Sequence, residues 1–177
     1  MAAIIPEETA MRSIQKISPC LWFDDQAEQA ANFYTTIFPN SKVCKMSRYG
    51  EDCPKLQSRP PGSVMSVSFE LEGQSFFSIN GGPRVTFNAA VSFMVNCDSQ
   101  EEIDYYWERL SEGAVQEDQQ CGWLKDQYGA AWQILPRVLH DMMTDPDPAK
   151  SQRVMEAMLP MQKVDLNALK RAFNGLT

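Results

Sequence analysis

The spacing of hydrophobic and polar residues changes period several times along this chain, and each change marks an element. "KISPCLWF", residues 16–23, reads as a strand that stops at Asp24-Asp25. In "QAEQAANFYTTIF" the residues Ala27, Ala30, Phe33 or Tyr34, and Ile37 fall at helical spacing, and the acidic residues before them suit a helix N-terminus. Pro39-Asn40 ends that helix. "SKVCKMSRY" predicts a strand and the Pro-rich "EDCPKLQSRPPG" a loop. The Val/Met/Phe alternation of "SVMSVSFELEG" predicts another strand, and Gly73 turns the chain into "QSFFSING". Through Asn80 the order is therefore β-α-β-β-β.

The pattern then restarts. "AAVSFMVNC" predicts a strand, Asp98 or Ser99 a helix cap, and "QEEIDYYWERL" an amphipathic helix. "GWLKDQYG" and "AAWQILPR" predict a closing hairpin, with a short strand expected near Ala114 to Glu117. One shift superposes Asp25 on Asp98, Glu28 on Glu101, Phe33 on Tyr106, Tyr34 on Trp107 and Ile37 on Leu110. A second, smaller shift places Gly73 on Gly129 and Phe76 on Trp132. Identity is thin, but element order and aromatic placement repeat, which predicts a divergent tandem repeat. After Pro136, "RVLHDMMTD", "DPDPAKSQRVMEAMLPM" and "VDLNALKRAF" predict three helices with Pro and Asp punctuation. Met155, Met158, Leu159, Leu166, Leu169 and Phe173 would form their apolar faces. The fold class is α+β: two βαβββ modules and a helical C-terminal extension. The boundaries read as an N-terminal extension over 1–16, a first module over 17–82, a second over 83–137, and helices over 138–177 packed on the domain or on a dimer partner.

Composition narrows the function. The 177 residues are 44% hydrophobic, enough for one substantial core or two small fused modules. A formal charge of −7 repels phosphate backbones and anionic lipid, so neither nucleic acid nor membrane is an expected partner. The start, "MAAIIPEETAMRS", has no basic region ahead of an apolar run and does not read as a secretion signal. Five cysteines, Cys20, Cys44, Cys53, Cys97 and Cys121, are irregularly spaced without a Cys-x-x-Cys pair, which predicts a reduced, cytoplasmic protein. The one histidine, His140, excludes chemistry that needs two.

Candidate chemistry is sparse. Cys121 in "QQCGWLKD" has Lys125 nearby in sequence, and a cation near a thiol favours the nucleophilic thiolate, so Cys121 is the one candidate catalytic residue. Cys20 and Cys97 read as small apolar fillers on strands. The acidic pairs Asp24-Asp25, Glu101-Glu102 and Asp145/Asp147 sit at helix starts or turns, where capping accounts for them. Arg48-Tyr49 reads as a solvated strand end that could meet an anion. "NGGP", Asn80 to Pro83, is followed by no helix and so reads as an inter-module linker, since a phosphate cradle needs a helix N-terminus after its glycines.

The paired modules, with a closing Asp-x-x-Gly-x-x-aromatic-x-Ile hairpin, resemble the vicinal oxygen chelate (glyoxalase/bleomycin-resistance) superfamily. "LWFDDQAEQAANFYTTIFPNS", "SVMSVSFELEGQ", "INGGP", "SFMVNC", "CGWLKDQYGAAWQILPR" and "DPDPAKSQRVMEAML" are similar to its PhnB-like branch, labelled 3-demethylubiquinone-9 3-methyltransferase domain. The resemblance runs from about Ile17 to Phe173. It implies a curved mixed sheet around a cavity, commonly in a homodimer. In the superfamily's metal-dependent enzymes, ligands project from the first and last strands of each module. The matching positions here are Ser18, Phe77, Ser92 and Gln133, a set without imidazole or carboxylate, so no metal and no cofactor are expected. The resemblance then implies a small, partly apolar molecule in the cavity, lined by Trp22, Met65, Asn80, Met94, Cys121, Trp123 and Gln133. Asn80 and Gln133 would supply hydrogen bonds. A buried amide satisfied by backbone is the other reading of Gln133, and plain core the other reading of the aromatics and methionines. An enzyme using Cys121, or a partner-binding protein using the C-terminal helices, are the alternatives.

Overall fold

The computed structural model describes residues 15–50, 59–114 and 119–176. They form two compact units that divide between Val85 and Thr86. The first contains β1 (Cys20–Phe23), α1 (Ala27–Ile37), β2 (Lys42–Arg48), β3 (Val64–Leu71) and β4 (Gln74–Asn80). Its sheet runs β1-β4-β3-β2, with β1 parallel to β4 and the other pairs antiparallel. β1 is shorter than the predicted strand. Pro19 has no N–H to give a ladder, although its carbonyl still accepts from the Phe77 N–H at 2.9 Å.

α1 covers one face of this sheet through Ala27, Ala30, Ala31, Tyr34 and Ile37, all buried. Small alanines bring the helix close, and Tyr34 stacks on Phe69, which in turn stacks on Phe76 (ring centroids 6.1 and 5.2 Å apart). Each such pair adds about 0.5–1.5 kcal/mol beyond its buried area. The β3–β4 turn needs left-handed backbone at both central residues, and Glu72 (φ 47°) and Gly73 (φ 79°) supply it. Cys20, expected as an apolar filler, is exposed, because the alternation that buries Leu21 and Phe23 sends it to the face away from α1.

The second unit contains β5 (Phe93–Cys97), α2 (Gln100–Ser111), β6 (Trp123–Lys125) and β7 (Ala131–Pro136), in a sheet ordered β5-β7-β6. β5 runs parallel and β6 antiparallel to β7, as β1 and β3 do to β4. The strand expected near Ala114 to Glu117 falls mainly on residues 115–118, outside the described residues. Ser99 caps α2 by accepting from the Glu102 N–H at 3.3 Å, and the Glu102 carboxylate accepts from the Asp98 N–H at 2.7 Å. Ile103, Trp107 and Leu110 form the buried face of α2.

The three predicted C-terminal helices are α3 (Leu139–Met143), α4 (Pro148–Met158) and α5 (Leu166–Phe173). They bury Leu139, Met142, Val154, Met158, Val164 and Leu169 against Leu135 of β7. Met155 and Leu159, expected on the apolar face, are 43% and 51% exposed, because the buried stripe of α4 is Val154 with Met158 at i,i+4 spacing. The chain between α4 and α5 also closes over the residues leading into β6. Met161 and Gln162 carbonyls accept from the Cys121 and Gly122 N–H groups at 2.7 and 2.8 Å. No helix among the described residues is long and apolar enough to cross a membrane.

Candidate ligand-binding face

The turn that delivers Gln133 is organised by one carboxylate. Asp126 Oδ1 accepts from the Tyr128 and Ala130 N–H groups (2.9 and 3.0 Å), and Oδ2 from the Trp132 indole (2.8 Å). Gly129 completes the turn at φ 86°. With the hairpin so fixed, Trp123 pairs with Gln133 across β6/β7 and Met94 pairs with Gln133 across β5/β7. The three side chains form one row across the sheet. The neighbouring row, Leu124–Trp132–Phe93, points to the opposite face, where Leu124, Trp132 and Ile134 are buried and α2 packs. Gln133 is half-buried, and Met94 is 56% exposed. Gln133 Nε2 donates to Ser92 Oγ at 2.7 Å. The amide thus has a side-chain partner where backbone was the alternative. This bond uses one of its two donors and leaves the serine hydroxyl hydrogen to turn outward. Ser92 was visible in the sequence as a site position. Its link to Gln133 follows from the β5/β7 register, which sets Met94 opposite Gln133 and so puts Ser92, two residues before Met94, on the same face.

The other expected site residues are arranged differently. Asn80 was expected to hydrogen-bond a ligand, but its amide is engaged by backbone: Oδ1 accepts from the Ala27 N–H (2.8 Å) and Nδ2 donates to the Val64 carbonyl (3.0 Å). It ties the start of α1 to β3. Trp22 lies against Gly81, where any Cβ would enter the indole ring, and donates Nε1 to the Gly82 carbonyl at 2.8 Å. The paired glycines of "NGGP" therefore make room for an indole. Met65 is exposed at an irregularity between the pairs Ser47↔Ser66 and Arg48↔Val64, with no partner of its own in β2. Cys121 has φ 52° and places its sulfur 3.6 and 3.7 Å from the Met158 and Leu159 carbonyls, among the C-terminal helices and off the Met94–Gln133–Trp123 row. Cys97 is buried, and burial, with Glu102 and Asp98 adding to it, pushes its thiol up to about 12. It is an inert, protonated filler.

The positions that hold metal in metal-dependent relatives can be tested by donor chemistry. Ser92 and Gln133 bond each other, Ser18 Oγ donates to the Gln15 carbonyl (3.4 Å), and Phe77 has no lone pair to offer. Hydroxyls and one neutral amide do not fit a divalent first-row ion, which takes imidazole, thiolate or carboxylate. Among the described residues no group of three or more His, Cys, Asp or Glu stands close enough to share an ion.

Two units of this kind, a four-stranded and a three-stranded mixed sheet each with a helix packed on one face, match the vicinal oxygen chelate (glyoxalase/bleomycin-resistance) class. Residues 15–135 match the family described as 3-demethylubiquinone-9 3-methyltransferase, and the chain belongs to that family. Among solved structures, the PhnB protein of Bacillus cereus is 36% identical, with a TM-score of 0.59 over 68% of this chain and 99% of its own. A protein of Pseudomonas aeruginosa shares the fold at 19% identity and a TM-score of 0.53, over 68% of this chain and 96% of its own. A search of curated proteins finds no match to the sequence.

Proposed function

We propose that this protein binds a small, partly apolar molecule without a metal ion, on the sheet face that α2 leaves uncovered. The observation that carries this reading is the Met94–Gln133–Trp123 row with Ser92 hydrogen-bonded to Gln133. An indole and a thioether offer contact area, and an amide–hydroxyl pair offers donors and an acceptor without charge. Pockets for neutral small molecules combine such groups. The donor set at the family's metal positions supports binding without an ion. Methyl transfer, which the family description names, is not carried over. A class I S-adenosylmethionine site needs a glycine-rich strand-to-helix turn in a doubly wound sheet, and here Gly81 packs under Trp22 in a β1-β4-β3-β2 sheet. Cytoplasmic location and a homodimer complete the reading; the free thiols Cys20, Cys44, Cys97 and Cys121 support the first.

Native mass spectrometry of the purified protein, with elemental analysis, tests the proposal. The expected result is metal-free protein that retains or takes up a small neutral molecule. Gln133→Ala should weaken that binding about tenfold, the equivalent of ~1.4 kcal/mol, while Cys121→Ala leaves it intact. A stoichiometric divalent ion, or binding indifferent to Gln133→Ala, refutes it.

A further inference from the structure

The first unit holds a cavity of about 270 Å³ that the proposed ligand face does not use. The first turn of α1, the end of β2, the chain entering β3 and the end of β4 line it. Its floor is fixed by Asn80, whose amide joins α1 to β3, and by Tyr49, whose hydroxyl donates to the Asn80 carbonyl at 2.7 Å. Among the described residues, four charged side chains line the cavity: Asp25, Glu28, Arg48 and Arg59. Arg59 is neutralised by ion pairs to Asp24 and, at 3.8 Å, to Asp25. Arg48 and Glu28 differ. Arg48 donates to the Gly62 carbonyl at 3.0 Å and touches Met46 sulfur at 3.5 Å. Among the described residues, neither Arg48 nor Glu28 comes within ion-pair distance of an opposite charge. The end of β2 and the first turn of α1 hold a guanidinium and a carboxylate in one cavity without letting them meet.

We propose that this cavity is a second binding site and that its ligand is a small zwitterion, a free α-amino acid. The carboxylate would sit on the Arg48 fork and the ammonium on Glu28. A guanidinium with several uncommitted N–H groups matches a carboxylate in bidentate geometry. A simple anion satisfies Arg48 and is repelled by Glu28 and by a chain of net charge −7; a simple cation leaves Arg48 unmatched. Only a molecule with both charges answers both groups. The volume lies just under the ~300 Å³ at which pockets for drug-sized ligands begin, which restricts the ligand to a short side chain. Val64 gives that side chain an apolar wall.

Calorimetric or NMR titration of the full chain with L-alanine and L-serine, beside propionate and n-propylamine, tests this. Saturable binding of the amino acids is expected, with each one-charge analogue at least about tenfold weaker, as the loss of one charge-assisted hydrogen bond implies. Arg48→Gln and Glu28→Gln should each weaken L-alanine by about the same factor. Arg48→Lys, which keeps the charge and loses the fork, should give a smaller loss; it stands in for Arg48→Gln if that variant melts early. Gln133→Ala should change nothing here, so this site and the sheet-face site fail or succeed separately. Three results would overturn the proposal: no saturable binding of either amino acid, propionate binding as tightly as L-alanine, or an affinity indifferent to both charge substitutions.

Discussion

Asp126 is 4% exposed, and three donors converge on its carboxylate. Removing the acceptor strands them at the edge of a core, and each buried donor left unpaired costs about 1–3 kcal/mol before water compensates. Asp126→Ala should therefore lower stability by about 3 kcal/mol, read as a shift of the urea midpoint at unchanged slope. Asp126→Asn, which keeps one acceptor oxygen, should cost less. If the two variants were equally mild, something other than this carboxylate would hold the turn. A second residue-scale prediction concerns Gly81. Its substitution by Ala drives a methyl into the Trp22 ring and should cost about 1–3 kcal/mol as overpacking, with a change in tryptophan fluorescence. The sequence showed that Asp126 and Gly129 make a turn, because that spacing has few other uses. It could not show that Trp132 completes the same carboxylate's bonding. It also hid the use of Asn80, since a side-chain amide reaching backbone from Val64 and Ala27 leaves no periodic trace.

At the scale of elements, period was a sufficient guide wherever one face packs against a single partner. α1, α2, β3, β4 and β7 all fall where alternation or helical spacing places them. It failed in phase for α4, where Val154, Met155, Met158 and Leu159 offer two overlapping stripes and only packing against Leu135 and Leu169 selects one. The C-terminal helices lie beyond the family match, which ends at residue 135, yet they share a core with β7. That makes them part of the second unit's stability. Leu169, fully buried, should cost about 2–5 kcal/mol when cut to Ala. The same variant should speed alkylation of Cys121, whose sulfur lies against the end of α4, and leave the rate at exposed Cys44 unchanged. Equal rates at Cys121 in both proteins would mean that the helices do not guard the thiol.

For the molecule as a whole, charge sets the pH range of stability. The Asp104 carboxyl on α2 is held below its ordinary value of 3.8, chiefly by hydrogen bonds from Lys163 and Gln100, and Lys163 Nζ lies 2.6 Å away in the link between α4 and α5. Asp145 is lowered too, by the Asp147 N–H and then Lys150. A carboxyl that binds its proton more weakly when folded contributes stability that is fully present above 3.8 and is lost as pH falls through the lowered folded value. Both groups sit in the second unit: the Asp104 pair joins α2 to the link between α4 and α5, and the Asp145 pair holds the start of α4. The Asp104 pair is more than a third exposed, and solvent screening limits it to about 0.2–1 kcal/mol. Cys97 acts at the other end. Its thiol is raised to about 12 from an ordinary 9, so its contribution is complete below 9 and fades as pH climbs toward the folded value. Urea midpoints measured across acid, neutral and alkaline pH should therefore pass through a plateau with a fall on each side. Lys163→Ala should soften the acid fall alone, and Cys97→Ala the alkaline fall alone. An acid limb unchanged by Lys163→Ala would remove Asp104 from the account and leave the other carboxylates, in a chain carrying 23 acidic residues against 16 basic ones, to explain it.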